Sequence, residues 1–377
     1  MTLSIRHLKD ILFDVERGRR LRSADIVQLL SLEREDALEM LFETARNVRK
    51  ATFGSGIFTY GFAYTSTFCR NDCTFCYFRR SNEQPQRYRK NTRDVLDVAR
   101  YLSKEGVNLM DLTMGEDPQF HDSKSGELAA LVQLVKDIRA ETDLPVMVSP
   151  GVVPDETLAM LAAAGATWYA CYQETHNPAL FKILRIGQRF EERLEKKRAA
   201  RKLGLLIEEG ILSGIGESLS DIAHSIRVMR ALDVDQVRVM KFVPQPGTPM
   251  AAHAEESSLR ECLVIAVLRL SFPNRLIPAS LDVDGLAGLE MRLNAGANVI
   301  TSLVPPDHGL SGVAHSKLDI ENANRTMTGI RPILERCHLS AASGEDYLTW
   351  VRARQKTFCG EKYVHETPEM GCVLSVI

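Results

Sequence analysis

Along this chain the spacing of apolar positions changes period at one place, and that change divides the sequence. Up to residue 50 the apolar residues recur at helical spacing: Ile26, Leu29, Leu30, then Ala37, Leu38, Met40, Leu41 and Ala45. Ser23 or Asp25 can cap that segment. Gly54 and Gly56 end the pattern, and Ile57–Tyr64 is an aromatic, strand-like run. From there short apolar runs alternate with amphipathic stretches. Strands are expected at Asn108–Met114, Pro145–Ser149, Trp168–Gln173, Leu205–Leu212, Gln236–Phe242, Leu276–Leu281 and Val299–Leu303. Helices are expected between them, at Thr92–Glu105, Gly126–Ala140, Asp155–Ala164, Asn177–Leu203, Ser220–Leu232, Ser257–Phe272 and Gly285–Ala295. Gly106, Gly165 and Gly204 each close a helix just before a strand.

With the opening strand this makes eight strand–helix units, the pattern of a parallel (β/α)8 barrel of the TIM type. No low-complexity stretch or linker interrupts it. The reading is one domain over residues 1–377, with N-terminal helices (1–53), a barrel (54–304) and a C-terminal extension (305–377) that holds a further helix near Gly344–Lys356.

Composition narrows the function classes. Of 377 residues 45% are hydrophobic and 25% charged, and 47 basic residues nearly balance 49 acidic ones. That balance supplies no global field for nucleic acid or an anionic membrane. No apolar run is long enough to span a bilayer, and the first residues do not read as a secretory signal, so a reducing, cytoplasmic location is expected.

The candidate chemistry lies just after the first strand. Cys69, Cys73 and Cys76 are spaced Cys-x3-Cys-x2-Cys. A structural zinc site wants four closed ligands, yet Cys171, Cys262, Cys337, Cys359 and Cys372 are scattered singly. Three thiolates on one loop suit a [4Fe–4S] cluster, which normally takes four, and leave one iron open for a ligand that is not protein. The spacing, followed by the aromatic Tyr77, resembles the signature of the radical S-adenosylmethionine (radical SAM) family. Membership would imply a [4Fe–4S] cluster on these three cysteines, S-adenosylmethionine chelated to the open iron, and a low-potential reductant protein as electron donor. The reacting radical then derives from the cofactor, so no protein side chain is expected to be catalytic.

In a barrel of this kind the chemistry collects at the C-terminal ends of the strands. Polar residues cluster at those ends here, at Asp111 to Asp117, Ser149, Gln173 to Thr175, Gly210 to Glu217, Arg238 and Lys241, Ser280 and Asp282, and Thr301 and Ser302. Gly115-Glu116 resembles the family's Gly-Gly-Glu element, with Met114 in place of the first glycine. The resemblance assigns Tyr77, Gly115, Glu116, Ser149, Glu174 and Arg193 to cofactor binding. It extends to the branch that isomerises L-lysine to (3R)-3-methyl-D-ornithine in pyrrolysine biosynthesis, where Asp111, Arg238, Ser280 and Asp282 would hold the substrate. Lysine carries one carboxylate and two ammonium groups, and one arginine with two aspartates matches that charge set. The alternative is a hydrogenase-maturase-like enzyme acting on another small amino-acid-derived substrate.

Overall fold

The computed structural model describes residues 3–121, 127–312 and 324–361. Three helices come first: α1 (Ile5–Glu16), α2 (Ser23–Leu30) and α3 (Glu35–Phe53). The alternating region then runs β1 (Gly56–Ser66), α4 (Thr92–Glu105), β2 (Leu109–Met114), α5 (Pro118–His121), α6 (Glu127–Thr142), β3 (Val146–Ser149), α7 (Asp155–Ala163) and β4 (Ala166–Ala170). It continues with α8 (Pro178–Leu184), α9 (Phe190–Lys202), β5 (Leu206–Ser213), α10 (Leu219–Ala231), β6 (Gln236–Lys241), α11 (Ser258–Ser271), β7 (Pro278–Ser280), α12 (Leu289–Asn294) and β8 (Val299–Leu303). The chain closes with α13 (Met327–Arg336), β9 (Ser340–Ala341) and α14 (Gly344–Glu361).

All eight main strands are parallel, in the order β6-β5-β4-β3-β2-β1-β8-β7. The remaining seam, between β6 and β7, is stitched by a single parallel bridge from Gln236 to Leu276, so the barrel is nearly closed. Each expected strand is present. The expected helix over 177–203 is instead two, α8 and α9. Between them Arg185 is a non-helical cap and Gly187 has φ +76°. Gly126, Cys372 and the side chain of Cys359 lie outside the described residues.

Strand side chains alternate between two faces, and in a barrel one face looks inward. The inward series fills the chamber in layers. At the bottom Phe58, Tyr60, Leu109, Met147, Trp168, Leu206, Leu276 and Val299 form a dry apolar cluster. Two residues further along the same strands the inward positions are Asp111, Glu208, Arg238 and Thr301, and above these the chamber opens.

The C-terminal extension seals the bottom. β9 pairs with the first residues of β1, and α14 inserts Tyr347 against Phe58 and Tyr60. The Tyr347 and Tyr60 hydroxyls hydrogen-bond at 3.1 Å, and Trp350 stacks on Trp168. Arg354 reaches Asp235 at the foot of β6, 2.7 Å away. Among the described residues no helix is long and apolar enough to cross a membrane.

Because Tyr347 is fully buried in this floor, Tyr347→Ala leaves a cavity that the rigid strand ends cannot collapse to fill. The expected loss is about 3–5 kcal/mol of stability, read as a lowered urea midpoint. A midpoint equal to wild type would show that α14 does not support the barrel.

Candidate active site

The cysteine loop leaves the top of β1 and is fixed by charge. Arg87 gathers the carbonyls of Phe78, Arg79 and Asn82 at 2.9, 2.7 and 3.1 Å. Arg79 pairs with Asp72 at 2.7 Å, and the Thr74 amide donates to the Leu184 carbonyl at the end of α8. These bonds satisfy loop backbone that no strand or helix covers. They bring Cys69, Cys73 and Cys76 to the wall of one cavity of about 220 Å3 at the barrel mouth.

Burial pushes the Cys69 thiol up to about 11 and Cys76 further in the same direction. The Asn71 amide donates to the Cys69 sulfur at 3.4 Å, and Gln188 Nε2 donates to the Cys73 sulfur at 3.0 Å. Donors aimed at sulfur favour thiolates, the form in which cysteine binds metal. Among the described residues no three acidic, histidine or cysteine side chains close on a single ion. Three cysteines on one cavity wall supply three protein thiolates, one fewer than the four a [4Fe–4S] cluster normally takes. The donor set therefore fits a [4Fe–4S] cluster.

Most of the positions assigned from sequence to cofactor binding lie around this cavity. Gly115, Glu116, Ser149, Glu174 and Arg193 all line it. Gly115 sits where a Cβ would stand 2.2 Å from the Phe68 carbonyl, so only glycine fits against the cysteine loop. The Glu116 carboxylate accepts from the Val152 amide (3.1 Å), Arg193 (3.0 Å) and Arg70 (3.1 Å). Burial would push Glu116 up, but the two arginines outweigh it and hold the carboxyl below its usual range. Glu174 and Arg193 share the cavity yet face different partners, since Glu174 pairs with Arg185 at 2.8 Å. Burial raises the Glu174 carboxyl, with Arg185 and Arg193 acting against it. Tyr77 is buried behind the wall, where its carbonyl accepts from Asn82; the aromatic residues that line the cavity are Tyr64, Phe75, Phe78, Tyr172 and Phe242.

Deeper in the barrel lies a layer of charge. Arg238 lines the cavity and pairs with Glu208 at 2.6 Å, while its other arm donates to Thr301 at 3.2 Å. The Tyr172 hydroxyl also donates to Glu208, at 2.9 Å. Asp111 accepts from Thr113 at 3.1 Å. Burial, aided by Glu208 and Asp282, pushes its carboxyl up to about 7, although Arg238 and Thr113 pull it down. Asp282 pairs with Arg325 at 3.0 Å and accepts from Ser302 at 3.0 Å; its own amide donates to Ser280. Asp111, Ser280 and Asp282 are thus buried beside Arg238 but do not line the cavity itself.

Four residues with a part in this geometry were not singled out from sequence. Glu208 is mid-strand, and the period-two series Leu206-Glu208-Gly210 was the signal for it. Arg185 and Gln188 sit in the break between α8 and α9, where a continuous helix is expected. Arg325 follows the barrel in a stretch with no pattern.

His176 is fully buried, 3.7 Å from Glu209, and does not line the cavity. Cys171 is buried and lies on the cavity wall.

Comparison with known proteins agrees with this geometry. The radical SAM superfamily profile matches residues 63–229. The 3-methylornithine synthase of Methanosarcina barkeri is 41% identical over 333 residues, covering 88% of this chain and 94% of that protein. The crystal structure of methylornithine synthase (PylB) superposes with a TM-score of 0.85 at 40% identity, over 90% of this chain and 99% of that one. More distant is the [FeFe] hydrogenase maturase subunit HydE of Thermotoga maritima, 28% identical over 78% of this chain and 82% of its own. Family members work with a [4Fe–4S] cluster and S-adenosylmethionine, and the chain belongs to the radical SAM superfamily and, within it, to the 3-methylornithine synthase family of isomerases.

Proposed function

We propose that this enzyme isomerises L-lysine to (3R)-3-methyl-D-ornithine, the opening step of pyrrolysine biosynthesis, in a reducing, cytoplasmic setting. The observation that carries the reading is the charged layer below the cavity, with Arg238 beside Asp111, Glu208 and Asp282. Charges of both signs gathered at the base of a small cavity favour a small ligand that itself carries both signs of charge. Lysine does so.

Cys69, Cys73 and Cys76 are the proposed cluster ligands. Gly115, Glu116, Ser149, Glu174 and Arg193 surround the space assigned to S-adenosylmethionine, and Tyr77 supports the loop from behind. When both groups are bound, the chemistry supplied at this mouth is one-electron, hydrogen-abstracting chemistry. The chain's own residues then have three tasks. Arg238 offers its guanidinium to the substrate carboxylate, held in place by Glu208 and Thr301. Asp111 and Asp282 receive the ammonium groups, with Ser280 as a hydrogen-bonding partner. The apolar floor of Tyr60, Trp168 and Leu206 keeps water out, so reacting fragments stay together. A low-potential reductant protein is the proposed electron donor.

The deciding experiment is anaerobic incubation of the reconstituted enzyme with L-lysine, S-adenosylmethionine and a low-potential reductant. A product of lysine's mass that co-elutes with methylornithine is expected. Deoxyadenosine formed without any lysine isomer, across several reductants, would overturn the substrate assignment and leave the superfamily assignment standing. Arg238→Ala should weaken lysine roughly ten- to a hundredfold in calorimetry, because a desolvated carboxylate loses its charged partner while Glu208 is left unpaired. S-adenosylmethionine binding should be unchanged.

Asp111 adds a pH dependence. Burial pushes its carboxyl up to about 7, so it is mostly protonated at pH 6 and mostly ionised at pH 8. A neutral carboxyl attracts an ammonium group less, so lysine affinity should fall as pH drops from 8 to 6. Binding in that range should release protons, visible as a dependence of the calorimetric heat on buffer ionisation. Asp111→Asn should flatten the profile; an unchanged profile in that variant would remove Asp111 from the site.

A further inference from the structure

The three cysteine sulfurs do not receive the same hydrogen bonds. Cys69 and Cys76 face backbone amides, those of Asn71 and Phe78 two residues along their own loop and, for Cys69, that of Glu116 against which the loop packs. Such donors come with the loop's fold. Cys73 is served instead by side chains from the break between α8 and α9, more than a hundred residues away. Gln188 Nε2 lies 3.0 Å from its sulfur and Arg185 Nη1 lies 3.7 Å from it.

The orientation of the Gln188 amide is set by its neighbour. Arg185 can only donate, and its Nη1 lies 3.4 Å from the Gln188 oxygen. The oxygen therefore turns to the guanidinium, and the amide NH2 is left for sulfur. Arg185 is in turn pinned by Glu174 at 2.8 Å and the Tyr172 carbonyl at 2.9 Å. Its guanidinium also stands over the Phe75 ring, 5.5 Å from the centre. A chain of contacts thus runs from the Cys73 sulfur through Gln188 and Arg185 to a carboxylate on the cofactor cavity.

We infer that Gln188 sets the reduction potential of the cluster and that Arg185 positions it to do so. The inference rests on the cluster reading above. An N–H donor withdraws electron density from a thiolate, and reduction adds one electron to the cluster. The donor therefore favours the reduced state, and hydrogen bonds to cysteine sulfur are among the levers that fix such potentials. Removing the donor leaves the oxidised cluster favoured and shifts the potential to more negative values. The expected change is about tenfold in the reduction equilibrium, or roughly 59 mV for one electron.

The test is an EPR-monitored redox titration of anaerobically reconstituted protein without S-adenosylmethionine. Wild type is compared with Gln188→Met, which keeps length and volume but has no N–H. Iron content and visible colour are recorded first; absence of a cluster in wild type would defeat the cluster reading itself, separately from this inference. With clusters intact in both, a more negative potential in Gln188→Met supports the assignment. An equal potential overturns it. If Gln188→Met does not retain its cluster, Gln188→Leu is titrated in its place, because it is likewise neutral and has no N–H. A role in packing alone predicts the wild-type potential for either neutral variant that keeps its cluster, whereas a donor role predicts the negative shift.

Discussion

The buried pairing of Arg238 with Glu208 is the interaction on which the interior depends. Both side chains stand inside the barrel, with Glu208 fully buried. Taking two charges out of water costs several kcal/mol each, and their attraction offsets that only when the remaining donors and acceptors are also met. Thr301 accepts from one arm of Arg238, and the Tyr172 hydroxyl donates to the second oxygen of Glu208. The arrangement also needs a dry floor, since water entering from below would screen the pair. The aromatic layer beneath, sealed by Tyr347 and Trp350, supplies it. A chamber that is apolar below and charged in the middle then follows from one geometric rule, the alternation of strand side chains.

That rule explains what could be read in advance. Runs such as Leu109-Met110-Asp111-Leu112 and Gln236-Val237-Arg238-Val239 are short and rich in apolar residues, and Gly106 closes the helix before the first of them, so strand identity and barrel class were both legible. The cysteine spacing was legible because three ligands to one centre must be close in sequence when they share a loop. Arg238, Asp111 and Asp282 were found by looking at strand ends. Glu208 stands at the same level as Asp111 and Arg238 but was passed over, since attention on β5 went to the glycine-rich stretch that follows it and its partner comes from the next strand.

The break between α8 and α9 was not legible for a different reason. Locally, Phe181 to Leu184 and Phe190 to Lys202 both favour helix, and Gly187 alone costs about 1 kcal/mol within one. The break is held by contacts distant in sequence. Arg185 and Gln188 reach Cys73, and the Leu184 carbonyl accepts the Thr74 amide instead of continuing the helix. Tertiary bonds to the cysteine loop override local propensity, and those bonds appear only once the loop is folded against the barrel mouth. The short β9, two residues long and paired with the foot of β1, escapes sequence reasoning for the same reason.

One consequence of alternation reaches from outside the barrel into the site. Glu208 and Glu209 are consecutive and both fully buried, so one faces the chamber and the other faces the helices. Glu209 pairs there with Lys197 of α9 and accepts from the Gln173 amide at 2.8 Å. Burial would push its carboxyl up, but Lys197 and His176 hold it down to about 2. Gln173 directly precedes Glu174, whose φ of +66° is a left-handed conformation that disfavours side chains other than glycine. That conformation persists because the backbone on both sides is tied down: the Glu174 amide donates to Gly210, the Leu212 amide donates to the Glu174 carbonyl, and Glu209 fixes Gln173. The strained residue is the one whose carboxylate turns into the cavity to hold Arg185. An ion pair on the helix side of β5 therefore contributes to the shape of the mouth without touching it, and the two adjacent glutamates divide the work of the strand between its faces.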